Sequence, residues 1–453
     1  MEDDMSMVLY VVGVLAVVVG VAVSIALHEV GHLLPAKRFG VRVTQYMVGF
    51  GPTVWSRRRG ETEYGVKAVP LGGYIRMIGM FPPRRGTPAG MVSAGSSNPI
   101  ASLVESARAE SLEELRPGDE HRTFYSLKVW QKLVVMLGGP VMNLVLATVL
   151  LAVVAVGFGA VQTTTTIGTV SECIVPVGAP TGTGCSADDE PAPAAAAGIR
   201  PGDRVLSVDG VPATSWADVQ TAIRAAAGQD LRLVVEREGQ ERTLVAEPSR
   251  TQIVAFDDAG QPVVQEDGSY ATVEGGFLGV SPTQDLVRQP VTVVPGQVAD
   301  AVVGTARVLF RLPQYMVGVA DAAFGGGERD PEGPISVVGV GRFAGEIASF
   351  EDPSGLVGVE ERAASILQVV AGLNIALFVF NLIPLLPLDG GHVAGALLEG
   401  VRKAWARARS LPDPGPVDVA KALPLAYAVA LLLLGTSVVL IYADLVNPVR
   451  LVG

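Results

Sequence analysis

Sulfur and imidazole groups are scarce in this chain of 453 residues, which has two cysteines and four histidines. No histidine lies near either cysteine, so the cysteine pair does not indicate a zinc site. Basic residues are also outnumbered: 34 Lys and Arg stand against 45 Asp and Glu, and the formal charge is −11. Such a chain lacks the basic excess of a nucleic-acid-binding protein, and we expect no nucleic-acid partner.

Charge is missing altogether from four long stretches of the sequence. Asp, Glu, Lys and Arg are absent from residues 7–27, 133–161, 366–388 and 422–443. A helix needs about 20 apolar residues to cross a hydrocarbon core about 30 Å thick, and the apolar runs of buried core helices are shorter. The first stretch does not resemble a cleaved signal peptide, because its leader is acidic and no small-residue cleavage site follows. The pattern predicts a polytopic α-helical membrane protein with four transmembrane helices.

Basic residues between the predicted spans indicate the orientation of the chain. Residues 35–128 carry 14 Lys and Arg, whereas residues 161–360 carry 12 basic and 27 acidic residues. Loops rich in Lys and Arg tend to remain in the cytoplasm. We therefore expect residues 35–128 and 389–421 in the cytoplasm, and both termini outside.

The first predicted span ends in the sequence His28-Glu29-Val30-Gly31-His32. Helix residues four apart share a face, so His28 and His32 can bind one metal ion while Glu29 reaches its water. Zinc held by two imidazoles and a third protein ligand brings the pKa of bound water towards 7. The motif therefore predicts hydrolytic zinc chemistry at membrane depth.

A third ligand is not found next to this motif. His121 is expected in solvent, and Glu61 and Glu63 are weak alternatives because they belong to a basic hairpin region. Asp389 is favoured, because it follows two prolines that break the third apolar stretch at the predicted depth of the motif. His392 could be a fourth ligand or a support of the other ligands, and we place it outside the ligand set, because a catalytic site keeps one position open for water.

Two short strands are predicted after the first span, at residues 41–50 and 63–71. Pro70, Gly72 and Gly73 either make the second an edge strand or end it. A β-hairpin beside an active site offers an unpaired edge to which a substrate strand can add. A plain cytoplasmic connector fits the same pattern equally well.

The segment between the second and third spans begins with a β-rich part. Residues 198–210 resemble the core of a PDZ domain, with glycines where a tight turn needs a positive φ. PDZ domains bind extended peptide ends by strand addition. A small β-rich spacer is the alternative.

Cys173 and Cys185 belong to the same segment. A disulfide between them would close a short loop and contribute about 3 kcal/mol on the chain-entropy model, and two free thiols are the alternative. Further along, Arg307, Arg311 and Pro313 argue against a span and for a helix at the membrane interface.

Three features together resemble the site-2 proteases, and more narrowly the bacterial regulator-of-sigma-E type of intramembrane zinc metalloprotease. They are the motif from His28 to His32, the stretch from Asn381 through Pro384 to Asp389, and the PDZ-like segment between them. Other short motifs resemble the same subgroup: Gly49-Phe50-Gly51-Pro52, Pro70-Leu71-Gly72-Gly73-Tyr74, Gly138-Gly139-Pro140-Val141-Met142-Asn143 and Gly333-Pro334-Ile335-Ser336.

The resemblance implies one catalytic Zn²⁺ held by His28, His32 and Asp389, Glu29 as general base and acid, and Asn381 beside the substrate. It also implies that the hairpin receives the unwound substrate, with contacts at Gly49, Gly51, Gly72 and Gly73. The implied substrates are single-span proteins of the bacterial plasma membrane: anti-sigma factors already cut outside by a site-1 protease, and remnant signal peptides. The chain departs from the best-known pattern in having room for one PDZ domain rather than two.

The sequence divides accordingly into 1–36, the first span with the metal motif; 37–80, a membrane-associated β-hairpin; 81–126, a flexible cytoplasmic insertion; 127–161, the second span; 162–285, an extracytoplasmic PDZ domain; 286–360, an interfacial helical region; 361–398, the third span with Asp389; 399–421, a cytoplasmic loop; and 422–446, the fourth span. Three other functions stay open: an inactive PDZ-bearing membrane scaffold, a metal transporter, and a protease that cuts soluble proteins. A transporter would need further ionisable residues deep in the spans, and the sequence has none outside the motif.

Overall fold

The computed structural model describes residues 2–83, 104–106, 108–109, 111, 115–174, 185, 191–255, 271–327, 329–330, 333–350 and 358–449. The chain forms two compact units, one made of Met1–Phe158 with Pro290–Gly453 and the other of Gly159–Gln289. Residues 84–103 of the expected insertion lie outside the described residues.

The described helices, in chain order, are α1 (Glu2–Arg38), α2 (Val129–Val153), α3 (Pro193–Ala196), α4 (Trp216–Ala225), α5 (Val294–Phe324), α6 (Val337–Ser349), α7 (Val359–Asn381), α8 (Asp389–Ala408) and α9 (Leu423–Val446). The described strands are β1 (Val43–Arg59), β2 (Thr62–Met77), β3 (Ala160–Val170), β4 (Arg204–Val208), β5 (Val211–Pro212), β6 (Leu231–Arg237), β7 (Gln240–Ala246), β8 (Ser249–Val254), β9 (Thr272–Phe277) and β10 (Val280–Val287).

Five helical segments of the described chain are long and apolar enough to cross a membrane: Met5–Arg38, Val129–Phe158, Val291–Phe324, Val359–Asn381 and Val419–Val446. Four of them overlap the four charge-free stretches. The additional one contains α5, where the sequence predicted an interfacial helix, and its mean hydropathy of 1.3 is the lowest of the five. Length and composition thus describe a multi-pass membrane protein.

Small residues set the contacts of α1 with its neighbours. A Cβ at Gly31 would lie 2.2 Å from the Gly138 carbonyl oxygen in α2, and a Cβ at Gly20 would lie 2.9 Å from the Val370 side chain in α7. Further along the same α1–α7 contact, Asn374 donates a hydrogen bond of 2.8 Å to the Ser24 hydroxyl. Small residues let helices approach closely in membranes. Because residues 20 and 24 face residues 370 and 374 in the same order, α1 and α7 run in the same direction.

Pro35 would be expected to end the first helix, but α1 continues through it and reaches Arg38. A proline inside a helix removes the hydrogen bond to the carbonyl four residues earlier, here that of Gly31. This carbonyl oxygen lies at the crossing with α2, 2.0 Å from where a Cβ of Gly138 would be. The Gly31 carbonyl that lacks its helical hydrogen bond therefore lies where α1 packs against α2. This packing holds α1 together, so the proline does not break the helix.

The hairpin is longer and more folded than predicted. Residues 43–48 of β1 lie between two parts of β2, and pair with residues 73–77 on one side and with residues 63–66 on the other. Residues 53–59 of β1 pair with residues 62–67 of β2, on the side away from residues 43–48. The expectation that β2 ends near residue 71 is wrong, because the chain bends at glycines and then pairs again. Gly49, Gly51 and Gly72, with φ of 92°, 86° and 92°, provide the positive φ values that these bends require.

The Gly159–Gln289 unit is a β-rich fold with one longer helix, α4. Its main sheet has the order β10-β3-β4-β6-β7, with β5 paired to β4, and β8 pairs with β9 separately. The core contains Ile167, Leu231, Leu233 and Leu278, each no more than 2% exposed. A disulfide joins Cys173 to Cys185 in this unit.

The turns of residues 198–210 follow the chemistry that the sequence indicated. Gly198, Gly202 and Gly210 have φ values of 73°, 92° and 77°. Asp203, which is fully buried, accepts hydrogen bonds of 2.6 and 2.7 Å from the guanidinium of Arg237 on β6. This ion pair ties the turn to the sheet.

Candidate metal centre

Three side chains from distant parts of the sequence meet in the larger unit. The Asp389 carboxylate oxygen Oδ2 lies 3.3 Å from Nε2 of His28 and 3.3 Å from Nε2 of His32. The two imidazole Nε2 atoms are 3.2 Å apart. Among the described residues, this is the group of His, Cys, Asp and Glu side chains that could hold a metal ion, with all ligand atoms within 4.8 Å of one another.

The helices explain why these residues converge. His28 and His32 are four residues apart on α1, so both rings leave the same face of the helix. Helix α7 ends at Asn381, and residues 382–388 form the connection to Asp389, the first residue of α8. Because α7 runs alongside α1 in the same direction, this connection returns the chain to the level of the two histidines.

The imidazole of His32 is held in the tautomer that a metal needs. Its Nδ1–H donates a hydrogen bond of 2.7 Å to the Val135 carbonyl oxygen, which leaves Nε2 free of a proton. A bond of this kind at the remote ring nitrogen fixes the ring orientation in metal sites.

His28 has an equivalent partner in Asn143 of α2. The Asn143 amide nitrogen lies 3.1 Å from His28 Nδ1, and the buried Oδ1 of the same amide has no hydrogen-bond partner among the described residues. Amide oxygen and nitrogen are assigned from their surroundings. With the amide turned over, Oδ1 accepts the Nδ1–H of His28, which satisfies the buried oxygen and frees Nε2 for a metal.

Glycines at the crossing of α1 and α2 leave room for the ligand side chains and let the two backbones approach. A Cβ at Gly139 would lie 2.2 Å from Nε2 of His32 and 2.7 Å from Nε2 of His28. The neighbouring contact between Gly31 and Gly138 brings the two backbones together. Gly139 and Asn143 were noted in the sequence only for their resemblance to a family motif, and periodicity gave no signal for either.

Glu29 lies beside the metal-binding group and is 8% exposed. A Cβ at Gly73 on β2 would lie 3.1 Å from Cγ of Glu29, so the end of the hairpin packs directly on this side chain. Of the four hairpin glycines singled out in the sequence, Gly73 is therefore the one that touches a candidate catalytic residue.

The other histidines and Asn381 have the following positions. Asn381 is the last residue of α7 and is half-buried. His392 lies against Phe124, with ring centroids 6.4 Å apart, and is not in the metal-binding group. His121 is exposed, as expected.

The two acidic alternatives for the third ligand are engaged elsewhere. Both carboxylate oxygens of Glu61 accept hydrogen bonds from Arg122, at 2.8 and 2.5 Å, and this guanidinium holds the Glu61 pKa below its usual value. Glu63 accepts hydrogen bonds from Ser56 and Gln45, which lower its pKa in the same way. Both remain surface anions of the hairpin.

The donor set fits zinc. Two imidazole nitrogens and one carboxylate oxygen are the ligands of many catalytic zinc sites, where a fourth position is open. Oδ2 of Asp389 is buried and accepts no hydrogen bond from the described residues, as expected of an oxygen that ligates a cation. His28, His32 and Asp389 would hold the ion.

Comparison with known proteins agrees with this geometry. The model of Peptidase family M50 matches residues 16–411. The zinc metalloprotease Rip1 of Mycobacterium tuberculosis is 34% identical over 98% of this chain and 99% of its own length, and Rip1 of Mycolicibacterium smegmatis is 34% identical over 97% and 98%. Metalloprotease MmpA of Caulobacter vibrioides is 28% identical over 85% of this chain and 86% of its own length. The chain therefore belongs to Peptidase family M50, the site-2 proteases, and is a zinc metalloendopeptidase.

Proposed function

We propose that this protein cleaves single-span membrane proteins within or near their membrane segments. The observation that carries the proposal is the position of the metal centre. His28, His32 and Asn143 belong to segments long and apolar enough to cross a bilayer, and Asp389 follows another such segment after the connection of residues 382–388. A peptide bond must therefore be brought to this depth to be cut.

Bound zinc supplies a Lewis acid that polarises the scissile carbonyl and lowers the pKa of water. Glu29 is placed to take a proton from the attacking water and to return it to the leaving amine. Burial of Glu29 against Gly73 excludes bulk water from this proton transfer. Val135 and Asn143 orient the two imidazoles, and Gly139 keeps the space between them free.

The hairpin supplies a surface for an unwound substrate. Residues 73–77 pair on one side with residues 43–48, and no described strand pairs on their other side. An exposed strand edge can bind an extended peptide through main-chain hydrogen bonds. Because this edge begins at Gly73, next to Glu29, a substrate strand added there would pass the catalytic group. Asn381 and the bends at Gly49, Gly51 and Gly72 are proposed to shape the same path.

The packing supports placing both termini on one side of the membrane. At the start of α6, the backbone N–H of Ser336 donates a hydrogen bond of 2.6 Å to Asp444 near the end of α9. At the other end of α6, a Cβ at Gly345 would lie 2.5 Å from the Tyr10 ring of α1. The basic residues of 35–128 then favour an extracytoplasmic position for both termini and a metal centre nearer the cytoplasmic side.

The Gly159–Gln289 unit is proposed to act as an extracytoplasmic PDZ domain. Its edge strand β10 pairs only with β3 among the described strands. A groove of about 620 Å³ also runs along α4, between Val211 and Gln229. Strand addition at β10 would let the unit bind the cut end of a substrate that another protease has already trimmed. Membrane-anchored anti-sigma factors and remnant signal peptides are the substrate classes we propose.

Co-expression with candidate substrates tests the proposal. Wild-type protein, Glu29→Gln and the surface control Glu120→Gln are each expressed in a bacterial membrane with tagged single-span proteins. We expect Glu29→Gln to keep one zinc per chain while cleavage falls by about 10²- to 10⁴-fold, the usual contribution of general acid–base catalysis. Equal cleavage by both variants would refute the role of Glu29. Cleavage of soluble casein without any membrane substrate would instead favour a protease that acts on cytosolic proteins.

A further inference from the structure

Helix α8, which begins with Asp389, leaves one face uncovered. Leu397, Val401 and Trp405 follow one another along this face and are 52%, 67% and 55% exposed. Leu398, beside them, is also 52% exposed. Helix residues four apart lie on one side, so these four side chains form a continuous apolar surface, which we name the α8 stripe.

The opposite face of α8 is packed against protein. Glu399 is 2% exposed and accepts hydrogen bonds of 2.7 Å from Lys132 in α2 and 2.8 Å from Lys403. A Cβ at Gly395 would lie 2.6 Å from Val419, where the last span begins. These contacts fix the rotation of α8 about its own axis and direct the α8 stripe outwards.

The depth of α8 follows from its contacts with α2. Its first residue lies beside the two imidazoles, which are also the closest neighbours of Gly139. A Cβ at Gly400 would lie 3.2 Å from Val129, the first residue of the second span. At 1.5 Å per residue, α8 covers roughly 16 Å between these two points. We therefore expect the second half of α8 to pass from the hydrocarbon into the headgroup layer.

Basic side chains flank the α8 stripe at this level. Arg402 and Arg409 follow it on one edge and Arg407 on the other, and all three are exposed. No carboxylate of the described residues forms an ion pair with them, and α8 exposes no acidic side chain. Apolar residues with a tryptophan, bordered by arginines, are the composition of helices that bind anionic membrane surfaces.

We propose that the α8 stripe and its arginines bind anionic phospholipids of the leaflet nearest the metal centre, and that the bound lipid holds α8 in place. Each guanidinium group can donate two hydrogen bonds to two oxygens of one phosphate, while the α8 stripe lies against the acyl chains. This inference rests on the proposed membrane function and adds a regulator to the same site. Because Asp389 begins α8, movement of the helix moves Oδ2 away from the two imidazoles, so anionic lipid supports cleavage.

The position of the α8 stripe can be measured without catalysis. The two native cysteines are bonded to each other, so a spin label attaches only to an introduced thiol. A label on Val401→Cys in nanodiscs is compared with one on Gln240→Cys, an exposed position of the Gly159–Gln289 unit. We expect the label at residue 401 to collide more with oxygen than with a water-soluble nickel complex, and the label at residue 240 to show the reverse.

The lipid dependence is measured in nanodiscs of phosphatidylcholine with and without phosphatidylglycerol. Cleavage of one single-span substrate and retention of fluorescent phosphatidylglycerol are followed for wild-type protein, Arg402→Gln/Arg409→Gln, and the control Arg232→Gln/Arg242→Gln. The control removes the same charge from exposed positions of the other unit. An arginine near an anionic surface contributes about 1 kcal/mol to binding. We therefore expect the increase in cleavage and the lipid retention that phosphatidylglycerol produces to fall about fivefold per arginine in the α8 variant, and to be unchanged in the control.

Each outcome separates this inference from the proposed function. A water-exposed label at residue 401, or an equal lipid response in both double variants, overturns the lipid site even if the wild type cleaves its substrate. A label shielded from both reagents points to a second protein chain on the α8 stripe and also overturns it. Retention of lipid by a wild-type protein that cleaves nothing in any nanodisc supports the lipid site and refutes the proposed function.

Discussion

Substitution of Gly139 by alanine tests whether the approach of α2 to α1 determines the metal centre. The added methyl carbon would lie 2.2 Å from Nε2 of His32. Non-bonded heavy atoms prefer about 3.5 Å, so the ring or the helix must move by about 1.3 Å. The ring of His32 cannot simply swing aside, because its Nδ1–H is bonded to the Val135 carbonyl oxygen.

A displacement of this size at a ligand atom has a large expected effect. Misplacement of a reacting group by about 1 Å costs on the order of 10²-fold in rate, and overpacking costs about 1–3 kcal/mol of stability. We expect Gly139→Ala to lower kcat/KM for a membrane substrate by about 100-fold and to bind less than one zinc per chain. Zinc content by mass spectrometry and cleavage in nanodiscs measure the two effects.

Two comparisons separate a local effect from general misfolding. Gly372→Ala in α7 is the matched control, because a Cβ there has no neighbour within 4 Å. Gly31→Ala separates the helices by meeting the Gly138 carbonyl oxygen, without placing a methyl group against an imidazole. If Gly139→Ala binds zinc and cleaves like Gly372→Ala, close approach of the helices does not determine the site and the reasoning is refuted.

Two further substitutions test other contacts of the structure. Asn143→Leu removes the partner of His28 Nδ1, so the affinity for zinc should fall about 10- to 100-fold in a competition with a chelator. An unchanged affinity would show that this contact does not support His28 as a ligand. Asp203→Asn leaves Arg237 without its buried partner, and hydrogen exchange of β4 and β6 in the full-length protein should show a loss of about 3 kcal/mol. Burial alone would raise the Asp203 pKa, but hydrogen bonds from Arg237 and the Arg200 amide outweigh it and lower the pKa. The stabilisation that Asp203 gives the wild-type protein is therefore complete above about pH 4 and is lost as the pH falls through the pKa of Asp203 in the folded protein. If β4 and β6 exchange as fast in the wild type as in Asp203→Asn at neutral pH, the ion pair does not stabilise the unit.

The sequence could identify the ligand residues because their chemistry is local. The spacing of His28 and His32 follows from helix geometry alone. Asp389 was favoured by its depth, which follows from counting apolar residues, and the structure places it 3.3 Å from both rings. Gly139 and Asn143 could not be derived in this way, because their importance depends on which face of α2 meets α1. That choice is made by tertiary packing.

The hairpin shows the opposite case, in which local rules gave the wrong boundary. Pro70, Gly72 and Gly73 are unfavourable in a regular strand, so the sequence predicted an edge strand or a strand end there and placed the last strand residue at 71. In the structure β2 continues to Met77 because a positive φ at Gly72 turns the chain back alongside residues 43–48. A strand that bends and pairs twice is stabilised by contacts distant in sequence, which alternation of side chains does not encode.

The direction of the helices decides how α5 can lie in the membrane. Since α1 and α7 run in the same direction, the chain between the end of α2 and the start of α7 must cross an even number of times. Helix α6 has 13 residues, or about 20 Å, too short for a core of about 30 Å. A full crossing by α5 would therefore have no returning partner among the described helices, and we expect both ends of α5 to lie on the extracytoplasmic side.

Cysteine labelling decides this point. Val291→Cys and Phe324→Cys, 60% and 69% exposed, flank α5, and Asp413→Cys marks the loop expected in the cytoplasm. An impermeant maleimide added to intact cells should label residues 291 and 324 and reach residue 413 only after the membrane is opened. If residue 324 behaves like residue 413, α5 crosses the membrane. The chain would then have to cross the membrane once more before α7, so that Asp389 and the two histidines lie at one level. That second crossing would have to be made by residues outside the described helices.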